Sequence, residues 1–316
     1  MNETFINYLD NKEIFAFGDL HGDIHALRML LELTDLIDVP IEGWEKLYEK
    51  TFAETELHLN GLRSKSMYQI FDELSVDTLK LFPKWKENTE NKVIIVTGDM
   101  IDNLRGGTIK DGTCHIGTVK QEELKIILCL KILDHQAIQA GKGCRVITLL
   151  GNHEDMNFSE NKIQSEYFCK DDEYYYDGTK YITREAFFLG IYHKIFNFED
   201  GHKKIIFRVN NNIFMHGGMT SQILKIFKEK LLKSTSDKLN MDDFIETMNN
   251  EYNKPSPDYY GTNDILWDRN FGEPGEKETI AICDEFNSMI KYFTNTDTFN
   301  LIVGYHSSNS KLDISL

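Results

Sequence analysis

Residues 93–102 read Val93-Ile94-Ile95-Val96-Thr97-Gly98-Asp99-Met100-Ile101-Asp102. Four consecutive β-branched side chains predict a short buried strand, and Thr97-Gly98-Asp99 predicts the turn that ends it. The polar residues fall where the strand stops. Four further runs repeat the pattern. Residues 14–17 end in Gly18-Asp19-Leu20-His21, 146–150 in Gly151-Asn152-His153, 213–215 in His216-Gly217-Gly218, and 301–303 in Gly304-Tyr305-His306. Five strands therefore deliver a glycine and a polar group at their C-terminal ends.

Helical patterns lie between the strands. Asp23 is a candidate N-cap, and Ile24, Leu27 and Leu31 share one face of a helix that Pro40 is expected to end. Thr118-Val119-Lys120-Gln121 has a capping-box pattern, and Leu124, Ile127, Leu128 and Ile132 line one face of a second helix stopping near Gly141. Alternating strands and helices predict an α/β fold, whose sites form at the strand C-termini. Two stretches break the alternation. Residues 41–91 carry Leu57, Leu62, Met67, Ile70 and Leu74 at helical spacing and are expected to form a helical cap. Residues 157–212 are expected to form a cleft wall together with 221–260, with Tyr174-Tyr175-Tyr176 in an exposed acidic loop. The chain lacks repeats and long linkers, so 1–316 reads as one domain with insertions.

Composition limits the function. With 35 Lys and Arg against 51 Asp and Glu in 316 residues, the net charge of −16 opposes binding to nucleic acid. The five cysteines form no CxxC pair and do not read as a disulfide framework. No apolar run is long enough to cross a bilayer and the polar N-terminus does not resemble a signal peptide, so the expected setting is cytoplasmic, without a membrane partner. Oligomeric state leaves no mark in the sequence.

The strand ends supply Asp19, His21, Asp99, Asp102, Asn152, His153, His216 and His306. An Asp beside a Gly is by itself a turn signal, and a lone His after a strand is an ordinary loop residue. Five such blocks together point elsewhere. Carboxylate and amide oxygens mixed with imidazoles suit first-row divalent ions such as Mn, Fe or Zn, and the number of groups suits two of them.

The blocks Gly18-Asp19-Leu20-His21-Gly22-Asp23, Gly98-Asp99-Met100-Ile101-Asp102, Gly151-Asn152-His153-Glu154, His216-Gly217-Gly218 and Gly304-Tyr305-His306 resemble, in order, those of calcineurin-like metallophosphoesterases. Among these the chain is most similar to the phosphoprotein phosphatases, and to their Shewanella-like branch. The resemblance spans residues 14–306 apart from the insertions. It implies a metallophosphoesterase sandwich of two mixed β-sheets flanked by helices. It also implies two divalent metal ions, with manganese the favoured metal.

The roles the resemblance implies are as follows. Asp19 and His21 hold the first metal, Asp99 bridges, and Asn152, His216 and His306 hold the second. His153 is the general acid, oriented by Asp102, and a metal-bridging hydroxide is the nucleophile. Asn152 also binds a phosphate oxygen, as do Arg105 and Arg269. The family pattern has an Arg where this chain has Asn103, so Arg105, two residues on, is a candidate substitute, with a solvated loop arginine as the alternative. Arg269 follows Trp267 in a Trp-x-Arg segment resembling that of the Shewanella-like branch. Residues 106–117 form a Gly-rich insertion after the second block, and Tyr305 separates Gly304 from His306.

The expected function is hydrolysis of phosphomonoesters on proteins or peptides, of the serine/threonine phosphatase type. The alternatives are a nucleotide-directed phosphoesterase resembling diadenosine polyphosphate hydrolases and a catalytically weak scaffold of the same fold.

Overall fold

The computed structural model describes residues 8–40, 62, 64–102, 122–158, 173–176, 181–219, 224–225, 240–254, 265–268, 284 and 300–304. In chain order the elements are β1 (Tyr8–Leu9), β2 (Glu13–Phe17), α1 (Ile24–Leu33), β3 (Ile37–Asp38), α2 (Met67–Phe71), α3 (Val76–Leu79), β4 (Lys84–Trp85), β5 (Lys92–Val96), α4 (Glu122–Ala140), β6 (Arg145–Thr148) and α5 (Asn152–Asn157). They continue with β7 (Glu173–Tyr176), β8 (Tyr181–Thr183), α6 (Arg184–Leu189), a 3-10 helix (Ile191–Phe196), β9 (Ile206–Val209), β10 (Asn212–Met215), α7 (Met241–Tyr252) and β11 (Asn300–Val303).

The five strands read from the sequence divide between two sheets. β2, β5 and β6 form a parallel sheet with β5 at its centre. β10 and β11 pair in parallel within a mixed sheet of order β1-β9-β10-β11, in which β9 and β10 are antiparallel. Side-chain alternation along each strand sets the layers. Val93, Ile95, Ile147, Phe207, Val209 and Phe214 point into one cluster between the sheets. Their neighbours Ile94, Val96, Val146, Ile206, Ile213 and Met215 join the larger cluster built with the helices. The result is the mixed α/β sandwich expected of the fold class. Among the described residues one of the two large sheets is mixed and the other wholly parallel.

α1 starts as the sequence indicates: the Asp23 carboxylate accepts the N–H groups of His25 and Ala26 at 2.9 Å. It ends at Leu33, before Pro40. Thr34 turns its hydroxyl onto the Leu31 carbonyl, and β3 then pairs antiparallel with β4. α4 is buried on more sides than one apolar stripe implies, because Ile126, Cys129, Leu130 and Leu133 are buried as well as the four residues of that stripe. A helix apolar most of the way round needs cover on several sides. β6 and α2 supply it: the buried Asp134 of α4 accepts from Arg145 Nε at 2.8 Å and from the Tyr68 hydroxyl at 2.8 Å.

Of the stretch expected to form a helical cap, residues 41–61 and 63 lie outside the described residues. The remainder holds α2, α3 and β4, and Leu62, Met67, Ile70, Phe71, Leu74 and Phe82 are part of the main core. Tyr174-Tyr175-Tyr176 is not a loop: Glu173–Tyr176 is a strand paired antiparallel with Tyr181–Thr183. No helix among the described residues is long and apolar enough to cross a membrane.

Candidate metal centre

The C-terminal ends of β2, β5 and β6 meet in a tight set of loops. The loop after β2 is laced to the loop after β5 by three backbone hydrogen bonds, in which Asp19, His21 and Gly22 donate to the carbonyls of Gly98, Asp99 and Met100. Gly98, at φ +104°, sits against the loop after β6, where an added Cβ would lie 2.5 Å from the Gly151 nitrogen. Only glycine permits that approach. Asp19, His21, Asp99 and Asp102 all adopt positive φ, at 52°, 43°, 52° and 68°. Such backbone costs about 1–3 kcal/mol per residue and concentrates at functional sites.

Three imidazoles converge on Asp99, which is 1% exposed. His21 Nδ1 lies 3.2 Å from the Ile101 carbonyl, His216 Nδ1 2.9 Å from the Thr97 carbonyl, and His153 Nδ1 2.7 Å from Asp102 Oδ2. Each acceptor is an oxygen, so each Nδ1 carries a proton and each Nε2 is left facing Asp99. Those Nε2 atoms lie 3.2 Å (His216), 3.6 Å (His21) and 3.8 Å (His153) from Asp99 Oδ2. His216 Nε2 also lies 2.8 Å from Asn152 Oδ1, and its Nδ1 is 3.9 Å from Asp19 Oδ1.

Electrostatics follow from this crowding. Burial opposes ionisation of Asp99, but His216, His153 and His21 outweigh it and hold the carboxyl below its usual range. Burial also opposes the charge on His216, yet Asp99, Asp19 and Glu154 raise it to about 9. For His153 burial acts downward and is outweighed by the hydrogen bond to Asp102 and the charge of Asp99, leaving it raised.

The donor set fits divalent cations. Lone pairs of nitrogen and oxygen face one another across a buried space, which a positive charge at Nε2 of these rings satisfies. Two metal-capable groups share Asp99: His21, Asp99 and His153, and Asp19, Asp99 and His216. The structure therefore brings Asp19, His21, Asp99, Asp102, Asn152, His153 and His216 into one cluster. Across Asp99, Asp19 stands with His216 and His21 with His153. His306, Arg105 and Arg269 lie outside the described residues.

Residues without an assigned role from the sequence complete the site. Glu154 is fully buried, and its carboxylate accepts the N–H groups of Asp99 at 2.9 Å, Met100 at 2.7 Å, Ile101 at 3.2 Å and Gly151 at 2.7 Å. Burial and the charge of Asp99 raise its pKa, while the backbone donors oppose the rise. The sequence signal was present, because a Glu three residues after a helix-start glycine is placed to reach back to the first turn. Glu123 accepts the Asp102 N–H at 2.8 Å. Asp155 accepts from the Tyr252 hydroxyl at 3.1 Å and from Trp267 Nε1 at 3.2 Å, tying α5 to the segment that precedes Arg269.

Comparison with known proteins identifies the family. The calcineurin-like phosphoesterase family matches residues 57–293. The chain belongs to that family, whose members are hydrolases acting on phosphoesters with divalent metals. Solved structures similar to it include a cold-active protein-tyrosine phosphatase of a psychrophilic Shewanella species, at 17% identity and a TM-score of 0.38 over 90% of this chain. The chain spans 65% of that enzyme's length. The phosphatase domain of the Legionella effector WipB is similar at 16% identity and a TM-score of 0.39, covering 93% of this chain and 99% of that one. No curated protein sequence matches the chain.

Proposed function

We propose that the cluster around Asp99 holds two divalent metal ions, manganese foremost, and hydrolyses phosphomonoesters on phosphorylated serine or threonine side chains of proteins or peptides. The observation that carries this reading is the buried Asp99 carboxylate, shared by two metal-capable groups and ringed by three imidazoles fixed through their Nδ1 protons. Protein substrates are proposed from the resemblance of the motif blocks to phosphoprotein phosphatases.

Asp19, His21, Asp99, Asn152, His216 and His306 would hold the two metals. The chemistry that bound divalent cations supply is activation of water as a nucleophile and neutralisation of the phosphoryl oxygens. The remaining work falls to the chain. The Asn152 amide, Arg105 and Arg269 orient the phosphate, a task suited to an amide donor and planar guanidinium forks. His153 delivers a proton to the leaving oxygen from Nε2. Asp102 fixes the tautomer and stabilises the protonated ring.

The test is turnover by purified, manganese-loaded protein of a phosphoserine peptide, a phosphotyrosine peptide, an aryl phosphate and a dinucleoside polyphosphate, with Asp99→Asn as control. Release of phosphate from the phosphoserine peptide, abolished by Asp99→Asn, is expected. Exclusive cleavage of the dinucleotide would overturn the reading, as would full activity in the variant.

A further inference from the structure

Asn157 closes α5 four residues beyond His153 and is 1% exposed. Its Nδ2 lies 3.1 Å from Asp102 Oδ2, 3.3 Å from Asp102 Oδ1 and 2.7 Å from the His153 carbonyl. A buried amide needs such partners to offset its desolvation. Residues four apart on a helix face the same way, so α5 presents His153 and Asn157 to the one Asp102 carboxylate.

Asp102 is held from three directions. The His153 Nδ1–H donates to Oδ2, the Asn157 amide donates to both oxygens, and the backbone N–H of Asp102 is taken by Glu123. Without the Asn157 amide, the carboxylate would keep more rotational freedom about its own side-chain bonds, and the ring would swing with it. The second donor removes that freedom. Its bonds to Asp102 are charge-assisted, which makes them stronger than neutral ones.

We propose that Asn157 is a positioning residue for proton delivery, acting through Asp102 to fix the direction in which His153 Nε2 points. The proposal rests on the reading of His153 as the proton donor. It has a specific chemical consequence. An alkoxide leaving from a serine phosphate needs a proton as its bond to phosphorus breaks, whereas nitrophenolate departs with little help. Loss of Asn157 therefore slows the two reactions unequally.

The experiment compares wild type, Asn157→Leu and Asn157→Asp, all manganese-loaded, on a phosphoserine peptide and on 4-nitrophenyl phosphate. Leu keeps the approximate volume without a donor, and Asp turns an acceptor towards Asp102. In both variants kcat on the phosphoserine peptide is expected to fall about tenfold or more beyond the fall on the aryl phosphate, with the loss in kcat and not in KM. A second readout needs no metal. The downfield Nδ1–H resonance of His153 in chelator-treated wild type is expected to vanish or broaden in both variants. Equal losses on the two substrates, or an unchanged imidazole spectrum, would overturn the role. If Asn157→Leu does not fold, as judged by near-ultraviolet circular dichroism, Asn157→Ala carries the same comparison. A wild type that turns over neither phosphate marks failure of the phosphatase reading and takes the proposal with it. An active wild type with equal losses marks failure of the Asn157 role alone.

Discussion

His153 Nδ1 lies 2.7 Å from Asp102 Oδ2, and both side chains are buried. The carboxylate fixes which ring nitrogen carries the proton and stabilises the charged ring. Asp102→Asn keeps the shape and removes the charge. The expected result is a fall of about 100-fold in kcat on a phosphoserine peptide with little change in KM, since the proposed role of the pairing lies in the chemical step. Steady-state kinetics on the manganese-loaded variant check it. A fall of less than about threefold would contradict the role.

Glu154 is the hub of the loops beneath the candidate metal centre, accepting four backbone N–H groups with its two oxygens. Glu154→Gln replaces one acceptor oxygen by an NH2 group that faces donors. The expected destabilisation is about 3 kcal/mol in urea unfolding of the chelator-treated protein. A change below about 0.5 kcal/mol would show that the loops hold themselves.

Gly151 touches Asp99 so closely that an alanine Cβ would lie 2.1 Å from Asp99 Oδ1. The Asp99 side chain or the loop must move. Gly151→Ala is therefore expected to weaken manganese binding about tenfold or more in calorimetric titration, comparable to disturbing the support of a metal ligand. Unchanged affinity would mean that Asp99 is not a ligand or that the loop yields freely.

Lys131 tests the core away from the site. It is 1% exposed, its Nζ has no hydrogen-bond partner among the described residues, and it sits 3.7 Å above the Phe198 ring centroid. Burial lowers its pKa from 10.5 to about 7, against the raising effect of Asp134, Glu199 and Asp200, while Arg145 adds to the lowering. The folded value lies below the unfolded one, so the penalty for the buried charge is complete below about pH 7 and fades as pH rises towards 10.5. Lys131→Met is expected to stabilise the protein by on the order of 3 kcal/mol at pH 6 and much less at pH 10, measured by urea unfolding. A gain independent of pH would show that Lys131 is not titrating.

What the sequence made legible was local. Five apolar runs ended in polar groups, and the Asp23 cap and the faces of α1 and α4 were visible as spacing. Their division between sheets was not, because a buried strand reads alike in either sheet. Helix α1 stops at Leu33 because β3 pairs with β4 far along the chain, a contact that Pro40 could not signal. The clustering of Asp19, His21, Asp99, Asn152, His153 and His216 followed from the strand ends. Glu154 and Asn157 lay beside the motif without a role, since their partners Asp99 and Asp102 are 55 residues away in sequence.

The most direct test of the account is anomalous diffraction at the manganese edge from crystals soaked in manganese. Two peaks roughly 3.5–4 Å apart, with Asp99 between them and Asp19, His21, Asn152 and His216 around them, are expected. No peak at Asp99 under saturating manganese, or peaks held only by other residues, would contradict it.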